Sequence, residues 1–136
     1  MKRTVGEIMS PINATVGADA TLRQAARRMS EYKTGAALVM DAALPGPGIV
    51  TERDILRALA EGADPDDALV GDYMHSKLVV ADPSWSLAAA AKEMTRFHIR
   101  HIVVFDGPEL VGIMSMRDVI AELGLREESA EASVSG

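Results

Sequence analysis

Two segments place a hydroxyl three residues before a carboxylate, each directly after an aliphatic run: Gly48-Ile49-Val50-Thr51-x-x-Asp54 and Gly112-Ile113-Met114-Ser115-x-x-Asp118. The first chemistry open to such a pair is reciprocal hydrogen bonding at a helix start. A Thr or Ser at the N-cap accepts from the N3 amide, while an acid at N3 accepts from the N-cap amide and lies at the positive end of the helix. Capping explains each segment singly, but not why the pattern occurs twice. Other reactive sets are missing. The chain has no cysteine, which excludes thiol nucleophiles, thiolate zinc sites and disulfides and points to a cytoplasmic protein. His98 and His101 straddle an expected helix-to-strand transition, with only the distant His75 as a third histidine, so no metal site is expected. No Gly-x-Gly-x-x-Gly or Walker-type loop and no Ser-His-Asp set occurs, and catalysis is not expected.

What must hold these pairs is a real core, for which 136 residues at 48% hydrophobic suffice. Fourteen Lys and Arg against 20 Asp and Glu leave a net charge of −6, which disfavours a nonspecific grip on nucleic acid or anionic lipid. The aromatic residues Tyr32, Tyr73, Trp85, Phe97 and Phe105 show no stacking pattern for single strands. No apolar run of about 18 residues is present, so neither a membrane span nor a signal peptide is expected.

The chain repeats itself. Val5-Gly6-Glu7-Ile8-Met9 returns as Val70-Gly71-Asp72-Tyr73-Met74, and the same register carries Thr21-Leu22 onto Ser86-Leu87, Ala25-Ala26 onto Ala90-Ala91, Met29 onto Met94 and Asp41 onto Asp106. It slips by one residue in the Ala42 to Pro47 stretch, where a loop absorbs a length change cheaply, and then aligns the two hydroxyl–carboxylate segments. Leu22, Ala25, Ala26 and Met29 recur at helical spacing after Thr21, which predicts a helix over 21–33 closed by Gly35. Strands are expected at 14–16, 36–40 and 48–50, with a second helix from Thr51. The second copy predicts strands at 79–81, 101–105 and 110–114 and helices over 86–98 and 115–123. The fold class is therefore α/β (α+β): tandem β-α-β-β-α units that share a pseudo-twofold globule, since each is too small to hide its sheet comfortably alone. Repeat 1 is expected over 1–62, a linker over 63–69, repeat 2 over 70–124, and a disordered acidic tail over 125–136.

The doubled Gly-Ile-x-Thr/Ser-x-x-Asp, the repeated Val-Gly-Glu/Asp-x-Met lead-in and the run Ile99-Arg100-His101-Ile102-Val103-Val104-Phe105-Asp106 together resemble a tandem pair of cystathionine-β-synthase-type (CBS) domains over residues 4 to 123. That resemblance implies a stand-alone regulatory module, not an enzyme, that binds an adenosine-containing nucleotide (AMP, ADP, ATP or S-adenosylmethionine) in the cleft between repeats. It implies Asp54 and Asp118 as acceptors for ribose hydroxyls, with Thr51 and Ser115 beside the ribose or phosphate. Candidates for the adenine walls are Thr15-Val16, Val79-Val80, Ile49 and Ile113. Arg100 and His101 stand where the family often places a phosphate-binding cation, and the preferred pocket joins them to Asp54, with magnesium as a possible companion of the phosphates. Gly35-Ala36 fill the matching positions of repeat 1, so the two sites are not expected to be equivalent. A homodimer is implied, through faces such as Ile55, Leu56 and Leu59 with Val119, Ile120 and Leu123, and with it an unidentified protein partner for the output. The alternative is a structural or dimerisation module with no nucleotide ligand.

Overall fold

The computed structural model describes residues 3–131, with side chains as far as 124. Two compact units divide the chain. One is formed by Ile12–Leu78, the other by the described residues of Met1–Pro11 and Val79–Gly136.

In the Ile12–Leu78 unit, α2 (Leu22–Glu31) starts at Thr21, whose hydroxyl accepts from Gln24 N–H while the Gln24 side chain accepts from Thr21 N–H. Leu22, Ala25 and Met29 fall on one stripe of α2 and are buried. They pack with Val39, Val50, Ala58 and Val70 to make the core. The sheet runs in the order β1 (Thr15–Val16), β2 (Ala36–Val39), β3 (Gly48–Thr51). β1 is parallel to β2, and β2 is antiparallel to β3 with Ala36 opposite Thr51. All four residues of β2 are buried, which is why it reads as an unbroken apolar run instead of an alternating one. α3 (Glu52–Ala60) follows β3 without a break.

The second unit repeats this plan with β4 (Val80–Ala81), β5 (His101–Asp106) and β6 (Glu109–Ser115), joined by α4 (Leu87–Arg96) and followed by α5 (Met116–Glu131). Its core gathers Leu87, Ala90, Met94, Ile102, Val104 and Met114. α5 runs past the expected end at 123, so residues 125–131 of the expected tail lie in its backbone and 132–136 lie outside the described residues.

The packing units and the sequence repeats do not coincide. The lead-in of the first copy, α1 (Val5–Ile8), belongs to the unit of the second sheet: Val5 N–H donates to the Trp85 carbonyl and Gly6 N–H to that of Pro83, both at 2.8 Å. The lead-in of the second copy, a 3-10 turn over Val70–Asp72, belongs to the unit of the first sheet: Val70 N–H donates to Ala20 and Gly71 N–H to Ala18, also at 2.8 Å. Both lead-in glycines sit in close approaches that leave little room for a side chain. A Cβ at Gly6 would lie 3.0 Å from the Pro83 Cβ, and one at Gly71 3.0 Å from the Ala18 carbonyl oxygen. In α1, Glu7 accepts from the Thr4 amide and hydroxyl, and the amide contact holds its carboxyl below the ordinary range. That support for the cap exists above the ordinary carboxylate pKa and is lost as pH falls through the lowered value.

Gly35 does not end α2. The left-handed residue is Lys33, at φ 53°, with Thr34 N–H donating to Met29 and Lys33 N–H to Ser30, the paired bonds of a Schellman turn. His98 (φ 54°) closes α4 in the same way through Ile99 to Met94 and His98 to Thr95, and Gly62 (φ 94°) closes α3. Only the third of these turns uses the residue that adopts this backbone without a Cβ penalty. Lys33→Gly and His98→Gly are each expected to stabilise the fold by about 0.5–1 kcal/mol. Thermal melting would show this as a rise of roughly 2–4 °C per substitution.

Candidate functional site

Each hydroxyl–carboxylate pair sits where the outer antiparallel strand of a three-stranded sheet ends and a helix begins. Thr51 is the last residue of β3 and the N-cap of α3; its hydroxyl accepts from Asp54 N–H at 3.3 Å. In return Asp54 Oδ2 accepts the Thr51 amide at 2.8 Å and the Thr51 hydroxyl at 3.0 Å. Ser115 ends β6 and repeats the box: Ser115 N–H donates to Asp118 Oδ2 at 2.7 Å and Asp118 N–H to Ser115 Oγ at 3.1 Å. The capping reading of both segments therefore holds. It does not account for the rest of the Asp54 environment.

Asp54 is 6% exposed and is the one buried charged side chain among the described residues. Its second oxygen, Oδ1, is 2.8 Å from His75 Nε2. His75 reaches this position because the residue after each lead-in adds a backbone bridge to the unit's last strand: His75 N–H and C=O bond to Ile49 at 2.8 and 2.9 Å. In the other unit Ser10 makes the same bridge to Ile113 at 2.8 and 3.0 Å. The bridges run over Gly48 and Gly112, where a side chain would be crowded at the first and would force a shift at the second. A Cβ at Gly48 would meet the His75 carbonyl oxygen at 3.1 Å, and one at Gly112 the Ser10 carbonyl oxygen at 2.9 Å.

The predicted residues divide between the units. Thr51 and Asp54 share theirs with Gly35 and Ala36, and Ala36 lies opposite Thr51 in the sheet. Ser115 and Asp118 share theirs with Arg100 and His101; His101 lies opposite Ser115, and the Arg100 carbonyl accepts Met116 N–H at 2.7 Å. Arg100 is exposed, while His101 and Asp118 are half-buried. Of the wall candidates, Ile49 is buried, Val16 and Val79 pack onto the two cores, and Val80 is exposed. Among the described residues no cluster of three His, Cys, Asp or Glu side chains could hold a metal ion. His75 is the site residue that motif reasoning misses. The signal that finds it is the repeat register, which sets Met74-His75 against Met9-Ser10.

The doubled β-α-β-β-α plan with its two hydroxyl–carboxylate turns is matched by the CBS domain family model over residues 5–61 and 70–125. The chain belongs to the CBS domain family. The CBS domain-containing protein YhcV of Bacillus subtilis is 32% identical over 130 residues, covering 95% of this chain and 91% of that protein. Two longer relatives are spanned only in part, a Methanopyrus kandleri protein over 61% of its length and a mitochondrial Arabidopsis thaliana CBS protein over 52%. Among solved structures, a CBS domain protein of Pyrobaculum aerophilum complexed with AMP superposes with a TM-score of 0.75 at 29% identity, covering 90% of this chain and 98% of that one. A hexameric CBS-CP12 protein from bloom-forming cyanobacteria gives 0.81 at 26% identity, covering all of this chain and 91% of that one. Two tandem repeats on two three-stranded sheets are thus what the sequence predicts. Among the described residues no helix is long and apolar enough to cross a membrane.

Proposed function

We propose that this CBS pair is a regulatory module, not an enzyme, whose ligand is an adenosine-containing nucleotide held through its ribose by the hydroxyl–carboxylate turns. The observation that carries the reading is the buried Asp54 carboxylate. Its Oδ2 is spent on the Thr51 amide and hydroxyl, and this fixes the direction of Oδ1, so the group is a preorganised acceptor for a ribose diol. Hydrogen bonds to a carboxylate are stronger than neutral ones. The AMP complex of the Pyrobaculum relative supports the ligand class.

Asp118 would accept likewise, with Thr51 and Ser115 lining ribose or phosphate. With a net charge of −6, phosphate needs local cations; Arg100 and His101, or an accompanying magnesium ion, supply them. Binding would regulate by favouring one arrangement of the module over another, for which a coupling of about 1–3 kcal/mol is the usual scale.

Calorimetric titration with AMP, ATP, S-adenosylmethionine and NADH tests this. Binding of at least one adenosine compound below millimolar concentration is expected, and none binding overturns it.

A second reading, assembly without a nucleotide, is favoured by the exposed Leu56 and Leu59 on α3 and Ile120 and Leu123 on α5. Val119, expected beside them, is buried in the core at 3% exposure and is not available. The hexameric CBS-CP12 relative supports assembly of some kind. A cytoplasmic homodimer that answers to a protein partner accommodates both readings. Sedimentation of the full chain, with and without nucleotide, separates them: a dimer unaffected by any nucleotide favours assembly alone.

A further inference from the structure

We propose that His75 is a displaceable latch on Asp54, which a ligand must eject before the carboxylate can hold both hydroxyls of a vicinal diol. The inference rests on the nucleotide reading above and assigns a regulatory residue to the same site.

A carboxylate offers about four acceptor directions, two per oxygen. On Asp54 the Thr51 amide and hydroxyl take both directions of Oδ2, at 2.8 and 3.0 Å. His75 Nε2 takes one direction of Oδ1 at 2.8 Å. One direction is then left, enough for a single hydroxyl. A diol needs two, and the imidazole is the least costly donor to remove. Moving Thr51 would break the cap of α3, and its amide is fixed at the end of β3. The His75 side chain is 56% exposed and makes no other hydrogen bond or ion pair among the described residues, whereas Asp54 is 6% exposed. Rotation about the Cα–Cβ bond of His75 sends the ring into water and leaves the backbone bridge to Ile49 intact. The other unit lacks the device, because Ser10 occupies the matching position in the bridge to Ile113. The two turns therefore differ in what a diol must do to bind.

His75 thus holds back diols selectively. A ligand that presents one hydroxyl fits beside the imidazole, and one that presents two competes with it.

The test is calorimetric titration of wild type, His75→Ala and His75→Ser with AMP and with 2′-deoxy-AMP at one fixed pH. The serine variant copies the side chain found at Ser10, and thermal melting confirms that both variants fold. Removing the latch is expected to tighten AMP by about 3- to 10-fold while changing 2′-deoxy-AMP by less than about twofold. In wild type, proton NMR should show the His75 ring resonances moving on AMP addition while those of His98 stay in place. AMP binding equally well, or more weakly, in both variants overturns the latch and leaves the nucleotide reading standing. Equal tightening of both ligands also overturns it. If none of the three proteins binds AMP at millimolar concentration, the nucleotide reading itself falls and the latch with it.

Discussion

Asp54→Ala is expected to weaken AMP binding by about 100-fold or more, the scale of losing two hydrogen bonds to a charged acceptor. The same substitution should cost about 1–2 kcal/mol of stability, because the α3 cap loses half of its reciprocal bonding. The two effects separate in Asp54→Asn. It keeps an acceptor oxygen for the Thr51 amide and restores most of the stability, but its neutral amide offers fewer acceptor directions to a diol and restores little of the affinity. Calorimetry with AMP beside a denaturant titration reads both quantities. Full AMP affinity in Asp54→Ala would show that the ligand is held elsewhere. Asp118→Ala removes an equivalent cap from a less buried group, so a stability loss of about 1 kcal/mol is expected there.

Gly112→Val should be the most destabilising single change at either bridge, by about 3 kcal/mol in urea or guanidinium unfolding. A Cβ at this position would stand 2.6 Å from Met9 Sδ and 2.9 Å from the Ser10 carbonyl oxygen. The thioether can move away, but the carbonyl is held by its bond from Ile113 N–H. Met9→Ala added to Gly112→Val should therefore recover only part of the loss. Gly48→Val is milder because its nearest atoms, the His75 carbonyl oxygen and Met74 Sδ, are both at 3.1 Å. Equal stability of Gly112→Val and wild type would mean that the lead-in is not packed on β6 as described.

The helices and strands are legible because their signals are local and strong. Leu22, Ala25 and Met29 trace a helical stripe, β2 is an unbroken apolar run, and Thr51 and Ser115 announce their caps three residues ahead of the acids. The repeat then confirms each element against its copy. The helix ends are less legible. Gly35 looks like the terminator of α2 because glycine favours left-handed backbone, yet Lys33 takes that conformation two residues earlier, where the last carbonyls of α2 need donors. A Cβ at Gly35 would meet only the carboxylate end of the exposed Glu52 side chain, at 3.0 Å, a group that can swing aside. His75 escapes notice for a different reason. Its contact with Asp54 spans 21 residues, and nothing near His75 in the chain foretells a carboxylate above β3. Four of the repeated glycines carry information that only the structure decodes: Gly6, Gly71, Gly48 and Gly112 mark close approaches of one segment to another.

The crossed lead-ins have a consequence for how such a molecule could arise. A solitary ancestral copy, cut at the borders of the sequence repeat, would have lacked the segment that packs into its own core. Two identical chains could have supplied it to each other by reciprocal segment exchange, a low-cost route to a dimer. Fusing the genes end to end would then have made the loan permanent within one polypeptide. On this view the heritable module spans 5–61 while the compact packing unit is the contiguous stretch Ile12–Leu78, so a fragment trimmed to the first would begin with an orphaned helix and end without its histidine.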